Sequence, residues 1–294
     1  MRYVVGYTDT SSGRDALALA VRLARTTGAR LDLVLVLANE ARPTLVPADP
    51  GYEKFLRETA EGWLAQAVAA VPADLQATPH VVYAESPSDG LLEAVETLKA
   101  ELVVIGAARG GILGRFSLGS DANALLHSAT VPVALAPDRS GEPGTDAPIS
   151  RVTCAIGTRP GADELLAAAI GATRRGGVPL RLVSLVALDR PADPAHPDAV
   201  ARAEAHAASV LEEALSHLPA DIAVTSEVAS GHRIEDAVTT LEWDPAEIVL
   251  IGSSRLAQPK HLFLGSTAAK MLRELPVPMV VVPRDSSFTI GDLS

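Results

Sequence analysis

Short apolar runs alternate along this chain with longer stretches in which apolar residues recur every three or four positions. The first run, Tyr3 to Tyr7, reads as a strand. From Ser12 to Thr27, Ala16, Leu17, Ala20, Val21, Leu23 and Ala24 share one helical face, and Gly28 is the stop. A strand follows at Leu31–Leu37, then a proline-rich loop over 41–50. A long helix is predicted from Gly51 to Val71, with Pro72 ending it. His80–Tyr83 is the third strand, and Ser86-Pro87 opens a helix that runs to Leu98. Leu102–Ile105, a helix over Ser120–Ser128 and a strand at Val131–Ala136 complete the unit. The order then returns. Strands are predicted at Val152–Ile156, Leu180–Val186, Ala223–Glu227, Ile248–Ile251 and Met279–Val282, with helices over 163–174, 198–217, 232–241 and 267–275. Strands alternating with helices across short loops predict two tandem five-stranded parallel α/β sandwiches, Rossmann-like in class.

The return is a duplication with a measurable offset. Gly106-Ala-Ala-Arg109 leads to Gly119-Ser120, and Gly252-Ser-Ser-Arg255 leads to Gly265-Ser266. The offsets agree, since 252 − 106, 255 − 109 and 265 − 119 all equal 146. Val131-Pro132 and Val277-Pro278 keep the same spacing. The repeats lie at 1–137 and 151–284, joined by a linker over 138–150 and followed by a tail over 285–294 expected to be mobile. Each half ends in an apolar strand. Such edges invite pairing, so the two last strands are expected to lie antiparallel about a pseudo-twofold axis, making an internal pseudo-dimer.

Composition narrows the partners. The formal net charge is −11 and no basic run exceeds Arg174-Arg175, which excludes a nucleic-acid binder. No apolar stretch reaches about 18 residues without a charge, so no membrane span is expected. The chain opens directly into a strand with no leader pattern, and the one cysteine, Cys154, lies inside an apolar run. Both point to a reducing, cytoplasmic setting with a buried thiol. The seven histidines have no paired metal spacing, and His206 with His217 reads as a solvated surface pair.

In an open parallel sheet a ligand sits beyond the carboxyl ends of the strands, where strand order reverses. Thr8 and Asp9 follow the first strand and Gly106 follows the fourth. Gly106 would admit close backbone approach, and Gly119 with Ser120 would present N–H groups and a hydroxyl at a helix start. No Gly-X-X-X-X-Gly-Lys-Ser/Thr, no Gly-X-Gly-X-X-Gly after a first strand, and no nucleophile elbow occurs.

The repeated Gly-X2-Arg-X9-Gly-Ser, in its strand–loop–helix setting, resembles the loop of the universal stress proteins, across both halves. The resemblance implies a non-catalytic stress-response protein, with dimerisation through the last strand, either between the halves or also between whole chains. It implies a loop that holds ATP phosphates in one branch of the family and no nucleotide in another. No metal is implied beyond a nucleotide-associated Mg. Nucleoside-facing positions would be Thr8 or Asp9 with Val36 in the first half, and Leu185 in the second, where Gly157-Thr158 supplies no acid.

Both halves depart from the nucleotide-binding pattern at its second glycine, which is Arg109 in one and Arg255 in the other. Two readings stand. A guanidinium beside the loop gives charge-assisted phosphate contacts. Alternatively it fills the crevice that glycine leaves open, and ATP affinity is then weak or absent. Asp121 after Gly119-Ser120 suits the helix dipole but repels phosphate, whereas Thr267 after Gly265-Ser266 carries no charge. Two further classes remain: an enzyme of the nucleotide α-hydrolase-like superfamily, poorly matched by Thr10-Ser-Ser-Gly-Arg-Asp15, and a partner-binding module with both crevices closed.

Overall fold

A computed structural model of the chain describes residues 1–38, 50–107, 119–141, 147–157, 162–187, 199–253 and 262–284. Arg109, Arg255, Thr158, the loop over 41–49, part of the linker (142–146) and the tail 285–294 lie outside the described residues. The first half runs β1 (Arg2–Gly6), α1 (Ser11–Thr27), β2 (Arg30–Ala38), α2 (Pro50–Ala70), β3 (Ala77–Ala84), α3 (Pro87–Leu98), β4 (Leu102–Gly106), α4 (Ser120–Ser128) and β5 (Val133–Ala136). The second runs β6 (Arg151–Ala155), α5 (Ala162–Gly176), β7 (Leu180–Ala187), α6 (Ala199–Ser216), β8 (Val224–Gly231), α7 (Ile234–Thr240), β9 (Glu247–Gly252), α8 (Ser266–Glu274) and β10 (Met279–Val282).

Local chemistry sets several ends. Thr10 caps α1, its Oγ1 accepting from the Gly13 N–H at 3.2 Å. Gly28 closes that helix at φ 71°, in the left-handed region, and donates back to the Ala24 carbonyl. Ser86 caps α3 with Pro87 in its first turn. The last strand of the first half starts at Val133, later than the Val131 its apolar run suggests. Pro132 has no N–H to give, although its carbonyl still accepts from the Val103 N–H at 3.0 Å. Two strands outrun their expected bounds. β3 starts at Ala77 and β8 continues to Gly231, through polar residues that an edge strand exposes to water.

All ten strands form one sheet in the order β3-β2-β1-β4-β5-β10-β9-β6-β7-β8. Within each half every pair is parallel. The halves meet at β5 and β10, antiparallel, with Val133 opposite Val281, Ala134 opposite Val280 and Leu135 opposite Met279. The expected pairing of the last strands is therefore present. The core divides by sheet face rather than by half. One cluster joins α1, α2, α5 and α6 to the strands from both halves, and the other joins α3, α4, α7 and α8.

Helix α1 also holds the connection between the halves. Asp15, 3% exposed, accepts from the backbone N–H groups of Gly141 (2.7 Å) and Arg139 (3.2 Å). Two turns on, Arg22 is equally buried and donates to the carbonyls of Ala147 (2.9 Å) and Pro245 (3.3 Å). Burial lowers the Arg22 pKa, opposed by the Asp244 charge.

The amino ends of the strands carry charges of opposite sign in the two halves. In the first, Asp32 on β2 is buried and accepts from Arg2 (2.8 and 2.6 Å) and faces His80 Nε2 at 2.8 Å. In the second, the structurally matching position is Arg181, whose guanidinium reaches Glu247 (2.7 Å) and Thr153 (3.0 Å) and stacks 4.8 Å from the Trp243 ring. Arg151 and Thr153 complete the shell around the Glu247 carboxylate. Each ion is paired, as a buried charge must be.

Candidate functional site

In the first half four residues, 7–10, join β1 to α1, and they turn tightly. Gly13 packs against the Thr8 backbone, where a Cβ would find no room. Helix α1 is thereby drawn over the end of β4. The Ser12 carbonyl lies directly on Gly106, so that a Cβ there would overlap its oxygen and meet Ser12 Oγ at 2.6 Å. Gly106 thus admits the chain's own helix where the sequence suggested a ligand.

The remaining first-half positions make contacts within their own half. Asp9 pairs with Arg14 at 2.8 Å on the surface, and Thr8 Oγ1 meets Thr10 Oγ1 at 3.0 Å. Val36 lies beneath α3, where a Cβ on Gly90 would stand 2.6 Å from its Cγ1. Burial, with the Asp9 charge adding and Arg14 opposing, raises the Tyr7 pKa. Gly119 is the N-cap of α4 without a side-chain cap, and Ser120 and Asp121 open that helix.

In the second half the surroundings of Gly252 are described in part, since residues 158–161 and 254–261 lie outside the described residues. Among the described residues the nearest atom to a Cβ built on Gly252 is Leu165 Cδ2 at 3.7 Å, an ordinary contact. A cavity of about 420 Å³ opens there at the carboxyl ends of β6, β7 and β9. Strand order reverses between β6 and β9, so the cavity lies at the switch point of the sheet. Its walls are mostly apolar and include Leu165, Val183, Leu185, Ile234, Ile251 and Met271. Gly252, Gly265 and Thr267 close the end nearest α8, whose N-cap Gly265 leaves the first N–H groups without a side-chain acceptor. Of the second-half positions singled out in the sequence, Leu185, Gly252, Gly265 and Thr267 line the cavity, and Ser266 is the first residue of α8.

Three polar residues at this cavity were not marked in the sequence as ligand-facing. His206 lies on its wall with Ala203, Ala207 and Val210, at the i, i+3, i+4 and i+7 spacing of one α6 face. Both His206 and His217 are exposed, as expected, and His217 Nδ1 meets the Glu213 carbonyl at 2.9 Å. The same spacing was in the sequence, but a helix face at 3.6-residue period does not say which gap it borders. Ser184 on β7 is buried at the cavity wall. Ser253 lines the cavity while its Oγ accepts from the Phe263 N–H at 2.8 Å. Ala107 holds the equivalent place in the first half, at the 146-residue offset (253 − 107). Among the described residues no group of three His, Cys, Asp or Glu is arranged to hold a metal.

The sequence pattern of the universal stress protein family matches residues 1–137 and 148–283. A universal stress protein of Mycobacterium tuberculosis is 31% identical over 298 residues, an alignment that covers 96% of this chain and all of that protein. Among solved structures, a universal stress protein from Archaeoglobus fulgidus covers 97% of both chains with a TM-score of 0.68 at 20% identity. A similar protein from Pseudomonas aeruginosa covers 97% of this chain with a TM-score of 0.59 at 16% identity. These two structures share the fold. No helix among the described residues is long and apolar enough to cross a membrane.

Proposed function

The chain belongs to the universal stress protein family, and from that premise we propose that it binds an adenine nucleotide in one crevice only, that of the second half. One observation supports this reading: Ser12 fills the space over Gly106, while among the described residues Gly252 lines a cavity. An apolar slot of this size between β7 and α7 suits a purine face, and few polar groups at one end suit a charged tail. The α8 N-terminus supplies backbone donors, and Thr267 adds no charge against phosphate. In the first half Asp121 stands at the matching place.

The site binds and does not turn over. No nucleophile–base pair converges on the cavity among its lining residues, and His206 and Ser253 lie on different walls of it, on α6 and after β9. Calorimetry with ATP and with AMP tests the proposal. One site per chain is expected, with Thr267→Asp weakening it by about tenfold or more, ~1.4 kcal/mol. Asp121→Thr should leave the titration unchanged. Two equivalent sites, or no response to Thr267→Asp, would refute it.

A further inference from the structure

We infer that the first half is a working part of the second half's ligand site: its helix α4 holds the arm by which the glycine loop returns to α8, through a clasp centred on Ser253, Phe263 and His127. This rests on the reading of the second crevice as the ligand site. The clasp has three layers. First, the Ser253 hydroxyl accepts from the Phe263 N–H at 2.8 Å and lies 3.2 Å from the Phe263 carbonyl, to which it donates. One side chain thus ties the start of the loop to its return arm. Ser253 is itself fixed, since its N–H donates to the Val282 carbonyl at 2.8 Å.

Second, the arm crosses to the other half. The Leu262 N–H donates to the Ala129 carbonyl at 2.8 Å, and the Leu264 N–H donates to the Leu126 carbonyl at 3.1 Å. These carbonyls belong to the last turn and end of α4, where a helix has no intrahelical donors left. The arm therefore acts as the cap of a first-half helix. Third, its side chains alternate. Leu262 and Leu264 are 1% and 7% exposed and pack in the cluster that holds Leu125, Leu126 and Ala129. Phe263, between them, sets its ring edge-to-face on His127, centroids 4.7 Å apart at 84°. His127 is fixed in turn by its Nδ1 against the Asn123 carbonyl at 2.6 Å.

The arm ends at Gly265 and Thr267, which line the cavity. Whatever positions residues 262–264 positions the ligand's polar end. Ser253, Phe263 and His127 are positioning residues in this sense, and His127 contributes from the opposite half without lining the cavity. The clasp is not a repeat property. At the 146-residue offset, Ala107 replaces Ser253, Ser117 replaces Phe263, and Arg273 stands where His127 does.

The test uses the full chain with Ser253→Ala, His127→Ala and Ser253→Thr, read in two ways. Without ligand, amide exchange of residues 262–267 should quicken in the two alanine variants and recover in Ser253→Thr, at an unchanged global midpoint. With AMP or ATP, affinity should fall about tenfold in Ser253→Ala, and less in His127→Ala. The double variant should fall short of the product of the two effects, because both act through Phe263. Unchanged exchange in His127→Ala overturns the clasp. So does faster exchange with full nucleotide affinity, which would make the clasp irrelevant to binding. A chain that binds neither nucleotide but shows the exchange pattern refutes the ligand reading and supports the clasp.

Discussion

Adding one methyl group to each motif glycine should have opposite consequences in the two halves. Neither Gly106 nor Gly252 is at positive φ, so alanine fits both backbones without torsional strain. At Gly106 the new Cβ overlaps the Ser12 carbonyl oxygen and stands 2.7 Å from its carbon. These are backbone atoms, so relief requires moving the first turn of α1, whose Ala16, Leu19 and Ala20 are fully buried. Overpacking of this kind costs about 1–3 kcal/mol, with the upper end expected where no side chain can swing away. At Gly252 the same carbon lies 3.7 Å from Leu165 Cδ2. There the loss of unfolded-state freedom stabilises by roughly 0.4–1 kcal/mol. Urea unfolding should therefore separate Gly106→Ala from Gly252→Ala by about 2 kcal/mol or more, with equal slopes. Nucleotide affinity should show the reverse order, because only the Gly252 methyl enters the open cavity. Equal midpoints for the two variants would mean that α1 does not rest on Gly106, and the one-crevice reading would fall with it.

Other outcomes follow from groups away from the cavity. Burial alone would raise the Asp32 carboxyl, but hydrogen bonds from Arg2 and His80 and their charge outweigh it and hold it below its ordinary value. A carboxyl lowered on folding stabilises above its unfolded pKa, about 3.9, and that share is lost as pH falls through the folded value. Asp32→Asn should accordingly flatten the acid limb of a stability–pH profile below about pH 4, and an unaltered limb would count against the pairing. Replacing Arg22 by Ala leaves the Ala147 and Pro245 carbonyls without donors and should cost about 2–3 kcal/mol in denaturant unfolding. Burial pushes the Cys154 thiol up to about 12, so thiol reagents at neutral pH should modify it only at the rate of unfolding. Prompt labelling of the native chain would place Cys154 nearer solvent than β6 allows.

Most of the fold was legible from pattern alone. The periodicity of Ala16 to Ala24, with Thr10 before it and Gly28 after it, defines α1 nearly to the residue. The apolar last strands indicated their own pairing, because an edge of Val, Leu and Met has few other partners. The site was legible only as a set of positions. Gly106 and Gly252 look alike in sequence, and the neighbour that covers Gly106 comes from the start of α1, far away in the chain. The close approach of Ser12 to Gly106 links residues 94 positions apart (106 − 12), and no local rule encodes it. His206 is exposed as expected, but its place beside the cavity was hidden for a related reason, since helical spacing gives a face but not the gap it borders. The shared cores were also hidden, because composition reports how much apolar surface there is and not where the sheet divides it.

The antiparallel join of β5 to β10 makes one chain out of what symmetry would otherwise demand be two identical copies. In a dimer of identical subunits every substitution appears twice, once in each crevice, so a change that closes one pocket closes both. The covalent link removes that constraint. A change around one crevice need not be copied to the other. A residue such as His127 can then serve one half alone, since its counterpart at the 146-residue offset is Arg273.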